Sequence, residues 1–295
     1  MNFEDDINIK PLPVQKSRFF RKVDLRLPLG PVCCFVGSTS SGKTTNLLNL
    51  LTKKKLLLNY FKVFIFSRNF YQDSIWENVC IKSKYVCLNY SEERIQRILD
   101  RQNELKKKQI DKFGNLNNFK PVLIVFDDMI GELRNKYLSI LTSMNRHYNV
   151  NIWILSQSYK AISPVIRNQC TNWIIYPSSN EGETKKLSDE LGGKKMLKFM
   201  ENVAQKEYQF LHINKKAPVK IRYRKGYDKY LELKNNQVIE HKLILKWSDK
   251  YLKTKTSKSV KLNPKPKKKK KKKKKIYFED YFSSSESELS SDYSE

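Results

Sequence analysis

The chain has 295 residues, enough for one sizeable α/β core with appendages. Lys and Arg number 58 against 30 Asp and Glu, and the resulting net charge of +28 exceeds what solubility requires and points to a polyanionic partner. No apolar run reaches the roughly 18 residues of a membrane span, and the acidic start Met1–Asp6 lacks a secretory signal's basic and apolar regions, so an intracellular protein without a membrane span is expected.

Residues 1–20 read as an N-terminal extension, 21–253 as the folded domain with its core in 21–180, and 254–295 as a disordered tail. Short apolar, β-branched or aromatic runs at Val32–Val36, Val63–Phe66, Tyr85–Leu88, Val122–Phe126, Ile152–Leu155 and Trp173–Tyr176 read as buried strands. Helical spacing lies between them: over Thr44–Leu51, over Ser91–Ile110 with Ser91 as cap and Ile95, Ile98, Leu99 and Leu105 on one face, and over Glu132–Met144. This alternation predicts a mostly parallel sheet with helices on both faces, of the P-loop NTPase class. After Pro177 a helical pair is expected around Glu183–Ala204, broken at Gly192–Gly193. Alternation over Tyr208–Ile213 and Val219–Tyr223 then suits edge strands or a terminal hairpin.

The tail passes through Lys267–Lys275 into the Ser- and Glu-rich Ser283–Glu295, a composition that buries too little apolar surface to fold alone. Removing it leaves the preceding residues strongly basic. An AT-rich genome would also enrich Lys together with Asn, Ile and Tyr, so charge by itself does not decide for nucleic acid. The five cysteines, Cys33, Cys34, Cys80, Cys87 and Cys170, form no paired CxxC motifs and read as reduced structural thiols.

Gly37-Ser38-Thr39-Ser40-Ser41-Gly42-Lys43-Thr44 matches G-x-x-x-x-G-K-[ST] in full, after a strand and before a helix, which is the context the motif requires. The glycines let backbone N–H groups curl around phosphate, Lys43 offsets charge on the β- and γ-phosphates, Thr44 can ligate Mg²⁺, and Thr45 is placed to touch the α-phosphate. ATP and Mg²⁺ are the expected ligands. Val122–Phe126 ends in Asp127 and Asp128, where the second motif of such an ATPase belongs: Asp127 toward Mg²⁺, Asp128 toward the attacking water. Neither the Asn-Lys-x-Asp reader of a GTPase nor the Arg-rich lid of a nucleotide kinase is present.

The strand Asn151–Leu155 delivers Ser156-Gln157-Ser158 to the carboxyl edge of the sheet, where Gln157 either senses the γ-phosphate, orients water, or is a surface amide. Arg146, read as lying just past the third helix, and Arg167 are rival candidates for a finger reaching a neighbouring subunit's nucleotide. A helix-end carbonyl contact or nucleic-acid binding stays open for each.

The segments Val32–Asn46, Leu123–Met129 and the stretch MNRHYNVNIWILSQSYKAISPVIRNQCTNWIIY (residues 144–176) together resemble the DNA-packaging ATPases of the FtsK–HerA superfamily, in particular those of poxviruses, other large eukaryotic DNA viruses, virophages and Maverick-type elements. The resemblance covers residues 20–180. It implies ATP hydrolysis by a homo-oligomeric ring, a pentamer or hexamer, that drives double-stranded DNA into a preformed capsid. It also implies contact with a capsid or portal-vertex protein, Gln157 as sensor, Arg146 as the finger, and residence in a cytoplasmic factory, the nucleus or the virion. Asp128 departs from the Glu that many members carry, and the shorter reach bears on its role as base. The tail beyond Lys261 has no counterpart; its Lys run reads as a nuclear signal or a DNA tether. A cellular helicase or plasmid-type translocase, and a nucleotide-switched DNA-binding protein without motor activity, are the alternatives.

Overall fold

The computed structural model describes residues 30–52, 59–80, 82–116, 119–129, 131–243 and the two-residue strand 276–277. In chain order the elements are β1 (Val32–Val36), α1 (Lys43–Leu51), β2 (Val63–Ser67), β3 (Val79–Cys80), β4 (Val86–Cys87), α2 (Glu92–Phe113), β5 (Val122–Asp127), α3 (Lys136–Tyr148) and β6 (Val150–Ser156). They continue with α4 (Pro164–Gln169), β7 (Asn172–Ile175), α5 (Glu181–Leu191), α6 (Lys194–Val203), β8 (Leu211–Asn214), β9 (Tyr223–Lys225), β10 (Lys229–Lys234), β11 (Gln237–Lys242) and β12 (Ile276–Tyr277). The expected N-terminal extension and nearly all of the expected tail lie outside the described residues; β12 pairs in parallel with β3.

Ten strands form one mixed sheet in the order β11-β10-β9-β8-β7-β1-β6-β5-β2-β4. The half from β7 to β4 is parallel, and the half from β8 to β11 is antiparallel. β6 lies between β1 and β5, so the strand carrying Gln157 separates the phosphate-loop strand from the strand carrying the two aspartates. β1, β2, β5 and β6 are buried on both faces, which is why they read as unbroken apolar runs, while the edge strand β4 is half-buried.

Alternate residues of each strand feed two cores. Val32, Cys34 and Val36 face α2, α3, α4, α5 and α6 through Ile98, Leu138, Ile166, Leu187 and Phe199. Cys33 and Phe35 face Leu47, Leu50 and Leu51 of α1, with Trp76 and Tyr60 beside them. Helices therefore cover both faces as expected, but unevenly. Among the described residues no helix is long and apolar enough to cross a membrane. Cys33, Cys34 and Cys170 are buried free thiols, and burial pushes Cys33 and Cys34 well above the ordinary range.

Local chemistry sets the boundaries. Ser91 caps α2 by accepting from Arg94 N at 3.0 Å, as its sequence position predicts. The expected helix over Glu132–Met144 is instead a 3₁₀ turn, Glu132–Arg134, followed by α3. Asn135 breaks the run because its side chain accepts from Tyr137 N at 2.6 Å and caps a new helix. α3 consequently runs on to Tyr148, so Arg146 occupies its last turn rather than a position beyond it. Val219–Ile221, expected in a strand, forms a 3₁₀ turn after Pro218, and the terminal hairpin is β10–β11. The short helix α4 is capped by Ser163 and begins with Pro164.

Candidate nucleotide site

The loop between β1 and α1 rises at the carboxyl edge of the parallel half, where open α/β sheets bind ligands. Gly37 N donates to Ser156 O at 3.2 Å, tying the loop to β6. A Cβ at Gly37 would lie 2.7 Å from both Ser41 Oγ and Tyr176 Cβ, so only glycine passes there. Gly42 takes φ +93°, which a side chain disfavours, and Ser40 takes φ +60°. These turns aim the first N–H groups of α1 into the loop, and no side chain caps that helix end.

Lys43 is buried, and its Nζ donates to Gly37 O and Ser38 O at 2.9 Å each, holding the loop closed on itself. Burial lowers its affinity for a proton, while Asp128 and then Asp127 oppose that shift. Ser41 Oγ is buried without a hydrogen-bond partner. Thr39, Ser40, Gly42, Lys43, Thr44 and Thr45 line a cleft of about 640 Å³, within the range of small-ligand pockets. Asp128 lines it as well. Of the other loop residues, Gly37 and Ser38 support Lys43 from behind through their carbonyls.

β5 ends with Asp127 buried under the cleft and Asp128 at its surface. Burial, then the neighbouring charge of Asp128, pushes the Asp127 carboxyl up to about 7; the Ser67 hydroxyl, 3.4 Å away at the end of β2, and Lys43 pull the other way. Asp128 has φ +51°, its N–H donates to Leu155 O at 3.2 Å, and its Oδ2 accepts from Gln157 Nε2 at 3.1 Å. Asp128 Oδ1 is buried and has no partner. Two adjacent carboxylates at a low-dielectric site, one with an orphaned oxygen, form a donor set that a divalent cation would neutralise. Among the described residues no group of three or more His, Cys, Asp or Glu gathers to hold a metal by itself.

Arg146 is exposed in the last turn of α3, at the amino edge of β6. The seven residues of β6 put it on the order of 20 Å from the phosphate loop of its own chain. Lys216 lies close by: burial lowers its proton affinity first, and the charge of Arg146 second. Arg167 is elsewhere and enclosed. Its Nε sits 3.2 Å from Glu190 Oε2, its guanidinium lies 4.8 Å from the centre of the Tyr159 ring, and the Tyr159 hydroxyl donates to Glu190 at 2.6 Å. Arg167 is thus buried against Tyr159 and Glu190 of its own chain, whereas Arg146 is exposed.

Several residues in and beside the cleft escape the sequence reading. Ser67 does not line the cleft but supports Asp127 from the carboxyl end of a buried parallel strand, a position that marks it as near the site once the strand is recognised. Asp73, Asn46, Asn49, Tyr176, Tyr208 and Phe210 line the cleft. The last three arrive from β7 and the approach to β8, and no local pattern links them to a loop far earlier in the chain.

A phosphate loop on β1, an aspartate pair on β5 and an amide from the strand between them, on a mostly parallel helix-covered sheet, define a P-loop NTPase of the class with an added strand between its two motifs. The chain belongs to the poxvirus A32 protein family, whose model matches residues 16–255. No curated protein matches it. Among solved structures it is similar to the genome packaging NTPase B204 of Sulfolobus turreted icosahedral virus 2, at 14% identity and a TM-score of 0.47 over 73% of this chain and 98% of that one. It is likewise similar to the pCW3 conjugation coupling protein TcpA, at 17% identity and 0.47 over 68% and 61%. The cytoplasmic domain of the type VII secretion ATPase EccC of Thermomonospora curvata matches at 14% identity and 0.45, over 71% and 27%.

Proposed function

We propose that this chain is an ATP-driven motor that translocates double-stranded DNA, packaging a viral genome into a preformed capsid as a homo-oligomeric ring. The observation that carries the hydrolytic part is the hydrogen bond from Gln157 to Asp128 beside a complete phosphate loop. The charge of +28 and membership of the poxvirus A32 protein family support DNA as the polyanion and packaging as the task. A capsid or portal-vertex protein is the partner that this task requires.

In the proposed chemistry the loop amides and Lys43 hold the β- and γ-phosphates, which requires Lys43 to leave the carbonyls of Gly37 and Ser38. Thr44 and Asp127 would hold Mg²⁺, which when bound neutralises charge on the phosphate oxygens. Asp128 accepts a proton from the water that attacks the γ-phosphorus; the new oxygen–phosphorus bond forms as the bond to the bridging oxygen of ADP breaks. Gln157 fixes the Asp128 carboxylate by one oxygen, and its amide oxygen is left to orient that water. Arg146, remote from its own loop, serves the nucleotide of the adjacent subunit.

The test is ATP turnover by the full chain with and without double-stranded DNA, beside Lys43→Ala and Asp127→Ala. Turnover that DNA stimulates and either substitution abolishes is expected. Nucleotide binding with negligible turnover, unchanged by DNA or by oligomer formation, would favour a switch over a motor and sink the proposal.

A further inference from the structure

The cleft above the phosphate loop has an aromatic wall that phosphate chemistry does not use. Tyr208 is 67% exposed, although its ring is held against the start of α1: a Cβ at Gly42 would lie 3.3 Å from Tyr208 Cδ1. Its backbone takes φ +57°, a left-handed conformation that costs a tyrosine on the order of 1 kcal/mol and persists where the surroundings or a function demand it. Behind it, Tyr176 and Phe210 pack with ring centres 5.5 Å apart and planes tilted by 52°, and the Phe210 ring centre lies 4.9 Å from that of Tyr227.

This wall is fastened to α1 by one amide. Asn46 Nδ2 donates to the Tyr176 hydroxyl at 2.9 Å, and the Tyr227 hydroxyl donates to Asn46 Oδ1 at 3.0 Å. The Tyr176 hydroxyl in turn donates to Gly42 O at 3.3 Å. Tyr176, just after β7, and Tyr227, between β9 and β10, are thereby tied to α1 with Phe210 packed between them, whereas Tyr208 lines the cleft that Thr44, Thr45 and Asn49 also line. An exposed ring on an aromatic backing thus stands beside the phosphate loop, in the same cleft as Thr44 and Thr45, where a flat ring system carried by a bound phosphate chain can reach it.

We propose that Tyr208 is the base-stacking residue of the site, taking the face of a nucleotide's purine, with Phe210 and Tyr176 as its support. This rests on the assignment of the phosphate loop as a nucleotide site. Stacking uses the π-face that every base has, so it adds affinity with little discrimination between adenine and guanine.

The experiment is calorimetric titration of the full chain with ATP, GTP and inorganic tripolyphosphate. Lys43→Ala is titrated in parallel, to subtract phosphate binding elsewhere on a basic protein. Tyr208→Ala should weaken ATP and GTP about tenfold, as expected for the loss of one base–aromatic stack, and leave tripolyphosphate unchanged. Tyr208→Trp should retain both nucleotides. Tyr208→Asn removes the ring but tolerates the left-handed backbone, so it should reproduce the alanine result if the ring itself matters. ATP binding unchanged in Tyr208→Ala and Tyr208→Asn, or tripolyphosphate weakened as much as ATP, would overturn the proposal. Wild type that binds neither ATP nor tripolyphosphate above the Lys43→Ala background would overturn the phosphate-loop assignment and the stacking role together.

Discussion

Gln157 Nε2 lies 3.1 Å from Asp128 Oδ2, a contact between the residues that follow two adjacent parallel strands, β6 and β5. It occupies one oxygen of the carboxylate and leaves Oδ1 buried and unpartnered, on a residue that lines the cleft. In the proposed mechanism the pair is a base and the group that orients it. Gln157→Ala should lower ATP turnover at least tenfold with ATP affinity within about twofold of wild type, and Asp128→Asn should lower it by roughly 10²- to 10⁴-fold. Single-turnover kinetics beside binding titrations check both. Equal losses of affinity and turnover in Gln157→Ala would place the amide in binding instead.

Asp127 carries its charge at a cost in the nucleotide-free protein, because burial and Asp128 both oppose ionisation. Asp127→Asn should raise the stability of the free chain by roughly 1 kcal/mol in urea unfolding while abolishing turnover. A destabilised Asp127→Asn would show that the Ser67 contact outweighs the repulsion.

Arg146 and Arg167 should part company in two measurements. Arg167→Ala removes the partner of Glu190 and the cation over Tyr159, and should cost roughly 2 kcal/mol of stability, with its loss of activity tracking unfolding. Arg146→Ala should leave the melting temperature nearly unchanged and lose DNA-stimulated turnover. Mixing Arg146→Ala with Asp128→Asn should restore activity, since a mixed ring contains sites with an intact Asp128 facing an intact Arg146. No recovery on mixing, in preparations shown to co-assemble, would remove Arg146 from the neighbouring site.

Glu240 on β11 joins Lys225 of β9 at 2.7 Å and Lys229 of β10 at 2.8 Å, and these hydrogen bonds pull its carboxyl down to about 2. A depressed folded value means the stabilisation is complete above the unfolded value near 4.3 and is lost as pH falls toward 2. With Lys229 exposed, the contribution is about 1 kcal/mol. Urea midpoints of wild type and Glu240→Gln should differ at pH 7 and converge as pH falls from about 4.5 toward 2; a gap independent of pH would show that the carboxylate's charge is not what joins the strands.

Much of this molecule was legible because its signals are local. The apolar runs of β1, β2, β5 and β6 are short and bounded, and Gly37–Thr44 carries its own strand and helix flanks. Asn135 escaped because capping competes with helical periodicity through a side-chain hydrogen bond that the apolar pattern does not register. Arg146 and Arg167 looked equivalent along the chain, and burial beside Glu190 separates them.

By itself the sequence determined the phosphate loop, the aspartate pair, the strand–helix alternation and the basic character, each a property of neighbouring residues or of composition. Only the tertiary structure decided what those parts touch. Strand order set β6 between β1 and β5, and so brought Gln157 to Asp128. The antiparallel half of the sheet folded back to lay Tyr208 against Gly42, across more than half the chain. Such meetings depend on sheet pairing at long sequence separation, which no short window of residues encodes.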